Sequence, residues 1–290
     1  MMLLGTVALW ALNIVLTRYV LTNGWQPLAY GTIRYFAATA LFWVFTYSRE
    51  RSFRVRWSDS RLVVLAAVLI FVNQIGFVYS IELTSASTVA LILGTTPIFA
   101  GIFATLIGLE RLTGTFWVGA VISFVGVALV AAGASSGFST DLLGDALAVA
   151  CAATWAAYSV TIAPLMRRYS PFRISALVLG LGWIPLALVS LPQLASQSFS
   201  FDSLVWIAFG YAVIGPLFLT NILWFTAIDR VGPSRAALFA NLQPFFAVVF
   251  AVLLLSEHLD RYEIAGGFAI AAGIVLERRR GHALVEEPVA

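Results

Sequence analysis

The chain has 290 residues, of which 61% are hydrophobic and 11% are charged, with a mean hydropathy of +0.94 and a formal net charge of +3. Soluble domains are about 45–50% apolar and about 25% charged, so this composition excludes an ordinary water-soluble fold. One cysteine and two histidines exclude an internal disulfide and argue against a metal site. We therefore expect an all-α integral membrane protein that contacts the lipid bilayer and has no cofactor, no metal and no nucleic-acid partner.

In chain order, ten apolar runs predict ten membrane-spanning helices. Spans 1 to 5 fall near Leu3–Tyr19, Pro27–Tyr47, Leu62–Ile81, Ser87–Leu109 and Phe116–Ala132. Spans 6 to 10 fall near Leu142–Ala163, Pro171–Leu191, Leu204–Ile228, Ser234–Leu255 and Ile264–Leu276. A short polar linker, residues 133–140, separates the two groups of five.

The segment Thr88–Gly126 occurs a second time as Arg235–Gly273. Pro97 corresponds to Pro244 at an offset of 147 residues. The same offset relates Ala90 to Ala237, Leu91 to Leu238, Phe99 to Phe246, Glu110 to Glu257, Leu112 to Leu259, Gly119 to Gly266 and Gly126 to Gly273. Because each half has an odd number of spans, the second half must enter from the opposite side of the membrane. We predict two inverted repeats, residues 1–134 and residues 135–290, the second ending in a short tail.

The arginines predict the orientation of these spans. Fourteen of the 17 arginines fall on the side that holds both termini, and only Arg18 and Arg261 fall on the other. Basic residues accumulate in cytoplasmic loops, so both termini are expected in the cytoplasm of a bacterium, with the chain in its inner membrane. Arg34 lies inside span 2, where an unpaired charge costs at least about 2.5–3.5 kcal/mol. We expect a structural partner for it, with recognition of a carboxylate as the alternative.

Several features together resemble a known family. They are the five-plus-five plan, the prolines within spans 4 and 9, the turns ERLT at 110–113 and EHLD at 257–260, the segment WALNIVLTRY at 10–19, and the Pro27 and Arg34 pairing. This combination resembles the drug/metabolite transporter superfamily, in its ten-helix EamA branch. The resemblance implies a secondary transporter working by alternating access. Mid-span aromatic residues favour export or exchange of amino acids, aromatic ones included, and of amphipathic metabolites or drugs.

Candidate substrate-binding residues lie on the spans expected to converge near the membrane midplane. Trp10 and Asn13 share one face of span 1, and Trp155 corresponds to Trp10 in span 6. The full set is Trp10, Asn13, Tyr79, Thr95, Trp155, Tyr158, Asn221, Trp224 and Asn241. The amides and hydroxyls have an equal alternative, which is bonding to a neighbouring helix at about 0.6–2 kcal/mol each.

Other residues are assigned by their position along the spans. Candidate hinge or gate residues are Pro97, Pro244, Gly94 and Gly101, and the alternative for the prolines is an inert kink. Trp25, Trp43, Trp57 and Trp206 lie near span ends and are expected in the interfacial aromatic belt. Glu110 and Glu257 are expected to be turn, capping or gate residues.

No Asp or Glu lies at the middle of the candidate path, which favours a facilitator or an exchanger driven by the substrate gradient. A proton-coupled exporter of drugs or organic cations is the alternative. An intramembrane enzyme is not expected, since Cys151 and His258 fall on different spans near opposite membrane faces. A channel or a non-transporting sensor stays open. The sequence does not fix the oligomeric state and is compatible with a monomer.

Overall fold

The computed structural model describes residues 2–84, 86–133, 141–246, 249–250 and 261–283, and the regular elements among these residues are helices. The first half contains α1 (Met2–Thr22), α2 (Pro27–Glu50), α3 (Trp57–Leu83), α4 (Ala86–Leu93), α5 (Thr96–Leu106) and α6 (Gly114–Gly133). The second contains α7 (Leu142–Met166), α8 (Pro171–Ser196), α9 (Ser203–Val213), α10 (Thr220–Val231), α11 (Pro233–Ala240) and α12 (Arg261–Ala283). A π-helical segment, Ile214–Leu219, joins α9 to α10.

Seven stretches of the described chain are long and apolar enough to cross a membrane, and two further apolar helices, Leu91–Leu106 and Ile264–Glu277, are shorter. A helix suits this environment because its backbone N–H and C=O groups pair within the segment. On α8 the side chains of Leu181, Ile184 and Leu188 are exposed. Their three- and four-residue spacing forms one apolar face, as expected for a helix that contacts lipid.

Span 4 is not the continuous helix that the sequence predicts. The helix ends at Leu93 and starts again at Thr96, with Gly94 and Thr95 in a turn. Pro97 has no N–H to bond the Leu93 carbonyl, and the Thr96 hydroxyl donates to that carbonyl at 2.6 Å instead. The prediction was wrong because it treated the proline as a kink within one helix.

Span 9 is interrupted in the same way, contrary to the predicted continuous helix. Here α11 ends at Ala240, Asn241 and Leu242 form a turn, and residues 243–246 are helical again. The offset of 147 residues relates this turn to the one in span 4. Residues 247–248 and 251–255 of the predicted span lie outside the described residues, as do Glu257 and His258 of the turn that follows it.

Glycines bring α6 and α12 into direct backbone contact. A Cβ placed on Gly119 would lie 2.7 Å from the Gly273 carbonyl oxygen, and one on Gly273 would lie 2.5 Å from that of Gly119. Gly126 and Gly266 show the same reciprocal approach, at 2.7 and 2.5 Å. Residue numbers rise on one helix as they fall on the other, so the two helices run antiparallel. Close packing through small residues is a common basis of helix association in membranes.

Candidate functional site

Three tryptophans from three helices form one cluster. Trp10 of α1 lies 5.3 Å from Trp155 of α7 and 4.9 Å from Trp224 of α10, measured between ring centroids. Trp155 and Trp224 are 6.0 Å apart. Trp224 is fully buried, whereas Trp10 and Trp155 are partly exposed. We call these three residues the tryptophan cluster.

Hydrogen bonds hold two of the three indole rings of the tryptophan cluster, those of Trp10 and Trp224. Trp10 Nε1 donates to Thr220 Oγ1 at 3.0 Å, and Trp224 Nε1 donates to Ser159 Oγ at 3.2 Å. Thr220 follows the π-helical segment, where its backbone N–H bonds the Gly215 carbonyl and its hydroxyl donates to the Pro216 carbonyl. The change of helical register therefore positions the acceptor of Trp10. Sequence analysis did not single out Pro216, which was the available signal for this irregularity.

Tyr158 adjoins the tryptophan cluster. Its ring centroid lies 5.4 Å from that of Trp155 and 6.0 Å from that of Phe225. The side chain is fully buried, and its hydroxyl has no hydrogen-bond partner within the part of the chain that the structure describes. A buried hydroxyl without a partner costs about 1–3 kcal/mol, so this oxygen is available to a ligand or to water.

A polar network begins one helical turn from Trp10. Asn13 and Thr17 are buried on the same face of α1, with Thr17 Oγ1 3.5 Å from Asn13 Oδ1. Thr17 Oγ1 is also 3.2 Å from the Tyr30 hydroxyl of α2. Tyr30 accepts a hydrogen bond from Arg34 NH1 at 3.4 Å, which brings the network to a charged group.

Arg34 is 2% exposed, and its described partners are neutral. Besides Tyr30, it bonds Gln74 Oε1 through NH2 at 3.0 Å. Its guanidinium carbon lies 4.8 Å from the ring centroid of Tyr30 and 6.0 Å from that of Phe77. The expected structural partner is thus a set of amide, hydroxyl and ring groups. None of the ion pairs found among the described residues includes Arg34.

The network continues from Gln74 to α7. Gln74 Nε2 donates to Asn73 Oδ1 at 3.3 Å, and Asn73 Nδ2 donates to the Cys151 carbonyl at 2.9 Å. Asn73 Nδ2 is also 3.2 Å from Cys151 Sγ. The network therefore joins α1, α2, α3 and α7 next to the tryptophan cluster.

Four other candidate residues form hydrogen bonds within or between helices. The bonds are Gln193 Nε2 to Tyr79 Oη (3.3 Å), Thr95 Oγ1 to the Ile92 carbonyl (2.6 Å), Asn241 Nδ2 to Ser123 Oγ (3.0 Å), and Asn221 Nδ2 to the Leu217 carbonyl. These are the packing contacts that the sequence left as an alternative. A contact of these four residues with substrate stays a prediction.

The two candidate hinge glycines pack closely against neighbours. A Cβ on Gly94 would lie 2.9 Å from Val127 Cγ1 of α6, and one on Gly101 would lie 2.8 Å from the Phe116 ring. Each glycine therefore lets the broken span 4 approach α6. A hinge role for these glycines and for Pro97 and Pro244 stays a prediction.

Trp25 was predicted to lie in the interfacial aromatic belt, but the structure buries it inside the protein. It is 2% exposed, and its ring is stacked between Phe201 at 5.0 Å and Phe209 at 5.2 Å. The prediction was wrong because a position near a span end does not show whether neighbouring loops cover it. Trp57, by contrast, is 90% exposed.

Antiparallel helices α2 and α8 are joined at both ends. At one end, Arg173 binds Glu50, with Nε to Oε2 at 2.8 Å and NH2 to Oε2 at 2.6 Å. Nearby, Arg168 NH1 and the Tyr169 hydroxyl donate to the buried carboxylate of Asp59 at 2.6 and 2.7 Å. We call these five residues the ionic end.

At the opposite end, Gln193 of α8 and Gln197, which follows the last residue of α8, bond the start of α2. Gln193 Oε1 accepts from the Leu28 N–H at 2.7 Å, and Gln197 Oε1 accepts from the Gln26 N–H at 2.7 Å. Gln197 Nε2 also donates to the Gly24 carbonyl at 3.1 Å. The two glutamines thereby satisfy backbone donors at the first turn of α2, which have no partner within their own helix. We call Gln26, Gln193 and Gln197 the amide end.

Sequence analysis did not single out either set of contacts. The available signals were the four-residue spacing of Gln193 and Gln197 and the acidic residues flanking the basic loop between α2 and α3.

A family profile decides the class of protein. The profile of the EamA-like transporter family matches residues 1–132 and 142–277. The chain belongs to the EamA-like transporter family. The resemblance to the EamA branch of the drug/metabolite transporter superfamily is confirmed, and the chain is a multi-pass membrane transporter of small metabolites and not an enzyme.

Individual relatives agree with membership of the EamA-like family. An uncharacterized transporter of Archaeoglobus fulgidus is 25% identical over 284 residues, which are 95% of this chain and 96% of that one. The uncharacterized transporter YyaM of Bacillus subtilis is 24% identical, covering 82% of this chain and 79% of its own. A probable terminal-alkyne amino-acid exporter of Streptantibioticus cattleyicolor is 25% identical over 67% of this chain and 65% of its own.

A solved crystal structure also resembles this fold. It matches with a TM-score of 0.80 at 17% sequence identity and covers 96% of each chain. At this identity the likeness supports the fold alone.

Proposed function

We propose that the protein is a secondary transporter of small amphipathic metabolites, such as amino acids including aromatic ones, that works by alternating access in a bacterial inner membrane. Residues 1–134 and 135–290 form two inverted five-span repeats, with both termini in the cytoplasm. Spans 4, 8 and 9 are then the irregular ones, built from α4 and α5, from α9 and α10, and from α11 and the helical turn that follows it. Transport is by export, facilitated diffusion or exchange.

Glycine contacts support the inverted repeat. The offset of 147 residues relates Gly119 to Gly266 and Gly126 to Gly273. Applied to the contact between Gly119 and Gly273, the repeat relation gives the contact between Gly266 and Gly126, which is also present. Such reciprocity is expected for equivalent elements related by a two-fold axis. The family profile, which matches once in each half, also supports the proposal.

The tryptophan cluster is the observation that carries the proposed function. Trp10 comes from the first half, and Trp155 and Trp224 come from the second. Ring faces at this junction can stack on an apolar or aromatic side chain, which is worth about 0.5–1.5 kcal/mol beyond buried area. Asn13 and Tyr158 provide polar groups one helical turn away.

The positions of the acidic residues support substrate-driven transport. Among described side chains, carboxylates lie in loops or in the first or last turns of helices, apart from Glu277, which pairs with Arg235 at 2.6 Å. A proton-coupled carrier normally has a titratable group in the path that the proton and the substrate share. We therefore expect substrate counterflow to persist after the pH gradient is collapsed.

Replacing Trp155 with Ala tests the proposed function. In proteoliposomes, the Trp155→Ala variant should lose several-fold of its phenylalanine counterflow, because one stacking face is removed. Trp57→Ala makes the same chemical change at an exposed position and should leave counterflow unchanged. Unchanged transport by a folded Trp155→Ala variant would show that the cluster is packing. Uphill accumulation driven by an imposed proton gradient would replace the exchanger with a proton-coupled carrier.

A further inference from the structure

Arg34 has more hydrogen-bonding capacity than its surroundings use. Within the described residues, NH1 bonds Tyr30 and NH2 bonds Gln74, while the buried Nε–H has no partner. A guanidinium has five N–H donors. A buried donor without a partner is costly, so an additional acceptor would be bound favourably.

The charge of Arg34 also has no counter-ion among the residues that the structure describes. Every described ion pair joins an arginine to a carboxylate: Arg168 with Asp59, Arg173 with Glu50, and Arg235 with Glu277. Arg34 is more buried than these three arginines, yet its described contacts are to neutral groups. Buried charges in proteins are generally paired with an opposite charge.

Arg34 is connected to the tryptophan cluster through the buried face of α1. Trp10 and Thr17 are separated by seven residues, or about 10 Å along a helix axis. Thr17 contacts Tyr30, and Tyr30 contacts Arg34. An amphipathic molecule of the size of an aromatic amino acid could place a ring at the tryptophan cluster and an acid group toward Arg34.

We propose that Arg34 binds the ionised acid group of the substrate, so that the transported molecules are carboxylates. This inference rests on the proposed function, because it assigns one end of the substrate that the proposed function places at the tryptophan cluster. A planar guanidinium suits a carboxylate, which can accept two parallel hydrogen bonds. An organic cation would be repelled by Arg34, because like charges interact strongly where water is excluded.

Three probes that share one phenyl ring separate the contributions of charge and ring. They are phenylalanine, 3-phenylpropionate, which has only the carboxylate, and phenethylamine, which has only the ammonium. Binding to the purified protein is measured by quenching of tryptophan fluorescence. We expect the wild-type protein to bind both carboxylates at least about tenfold more tightly than the amine, since charge-assisted hydrogen bonds are the stronger class.

Variants identify the group responsible for this preference. Arg34→Gln should bring the ratio of carboxylate to amine affinity close to one, and Arg34→Lys should retain part of it. Arg168→Gln makes the same change at an arginine of the ionic end and should leave the ratio unchanged. A purely structural role for Arg34 would change stability without changing this ratio. If Arg34→Gln does not fold, the test compares the ratio of carboxylate to amine affinity in the wild-type and Arg34→Lys proteins. A ratio that is the same in both would overturn the proposal.

The outcomes distinguish this inference from the proposed function. Equal wild-type affinity for phenylalanine and phenethylamine would overturn the role of Arg34 while leaving a carrier at the tryptophan cluster intact, provided that Trp155→Ala weakens both. A carboxylate preference that survives in a folded Arg34→Gln variant would also overturn it. If none of the three probes is bound or exchanged by the wild-type protein, the inference fails together with the proposed substrate class.

Discussion

The ionic end and the amide end each include a contact between α2 and α8, and the two contacts differ in chemistry. The offset that relates Pro97 to Pro244 also relates Gln26 to Arg173 and Glu50 to Gln197. The ion pair of Glu50 with Arg173 therefore corresponds to the hydrogen bond of Gln26 with Gln197. Positions related by this offset in the sequence therefore form a contact at each end, one with charges and the other with amides.

This difference shows that two contacts at positions related by the duplication can use different chemistry. A charged contact depends on ionic strength and on solvent exposure, whereas an amide contact to the backbone depends on neither to the same degree. Trp25, which precedes Gln26 of the amide end, is stacked between Phe201 and Phe209. Under the proposed alternating access, the two ends open in turn, and their different chemistry sets how readily each one opens.

Breaking the ionic end should have the largest effect. Arg173→Ala removes both bonds to Glu50 and a 3.1 Å bond to the Arg54 carbonyl. Because Arg173 and Glu50 are only about one-fifth exposed (21% and 19%), loss of the pair should cost about 2–3 kcal/mol, measured by thermal unfolding in detergent.

The control for Arg173→Ala is Arg167→Ala, which changes an exposed arginine in the connection between α7 and α8. It should alter stability by less than about 0.5 kcal/mol. Raising the salt concentration to about 1 M should screen the ion pair and lower the stability of the wild-type protein, as Arg173→Ala does. Equal stability of the Arg173→Ala and Arg167→Ala proteins would show that the ion pair does not hold this end.

Breaking the amide end should have a smaller effect that does not depend on salt. Gln193→Leu leaves the N–H groups of Leu28 and Ala29 without their side-chain acceptor, which should cost about 1–2 kcal/mol in the same assay. Gln193→Glu keeps an acceptor oxygen at the start of α2 and should retain most of the stability. A salt-dependent loss in Gln193→Leu would contradict the distinction between the ends.

The smallest effect is expected at Glu110, in the loop between α5 and α6. Burial raises the pKa of this carboxyl above its usual value, and the neighbouring Ser234 and Arg235 offset only part of the shift. The folded protein therefore holds the proton more tightly than the unfolded chain, and stability falls as pH rises from the unfolded pKa through the folded one. At pH values above the folded pKa, the Glu110→Gln protein should be more stable than the wild type. It should also lack the fall in stability with rising pH. An unchanged pH profile of unfolding would contradict this.

Much of the architecture could be predicted from apolar runs and from the duplication. Helical spans follow from apolar length, and the contact of Trp10 with Trp155 agrees with their corresponding positions in spans 1 and 6. The spans depend on local sequence and the Trp10–Trp155 contact depends on repetition. Both kinds of information are present in a single sequence.

Other features depend on which groups meet in three dimensions. The breaks near Pro97 and Pro244 depend on how the freed carbonyls find new donors, such as the Thr96 hydroxyl. Burial of Trp25 depends on the distant Phe201 and Phe209. The neutral surroundings of Arg34 depend on Gln74, forty residues away, so spacing along span 2 gave no sign of them.

Distances measured across both ends in one sample test the central claim most directly. Spin labels at Ser58 and Arg167 report on the ionic end, and labels at Asn23 and Ser198 report on the amide end, in a Cys151→Ala background. These four positions are exposed. Under alternating access between two inverted halves, adding phenylalanine to proteoliposomes should lengthen one distance while it shortens the other. Two distances that lengthen together, or that both stay fixed while counterflow proceeds, would contradict the account.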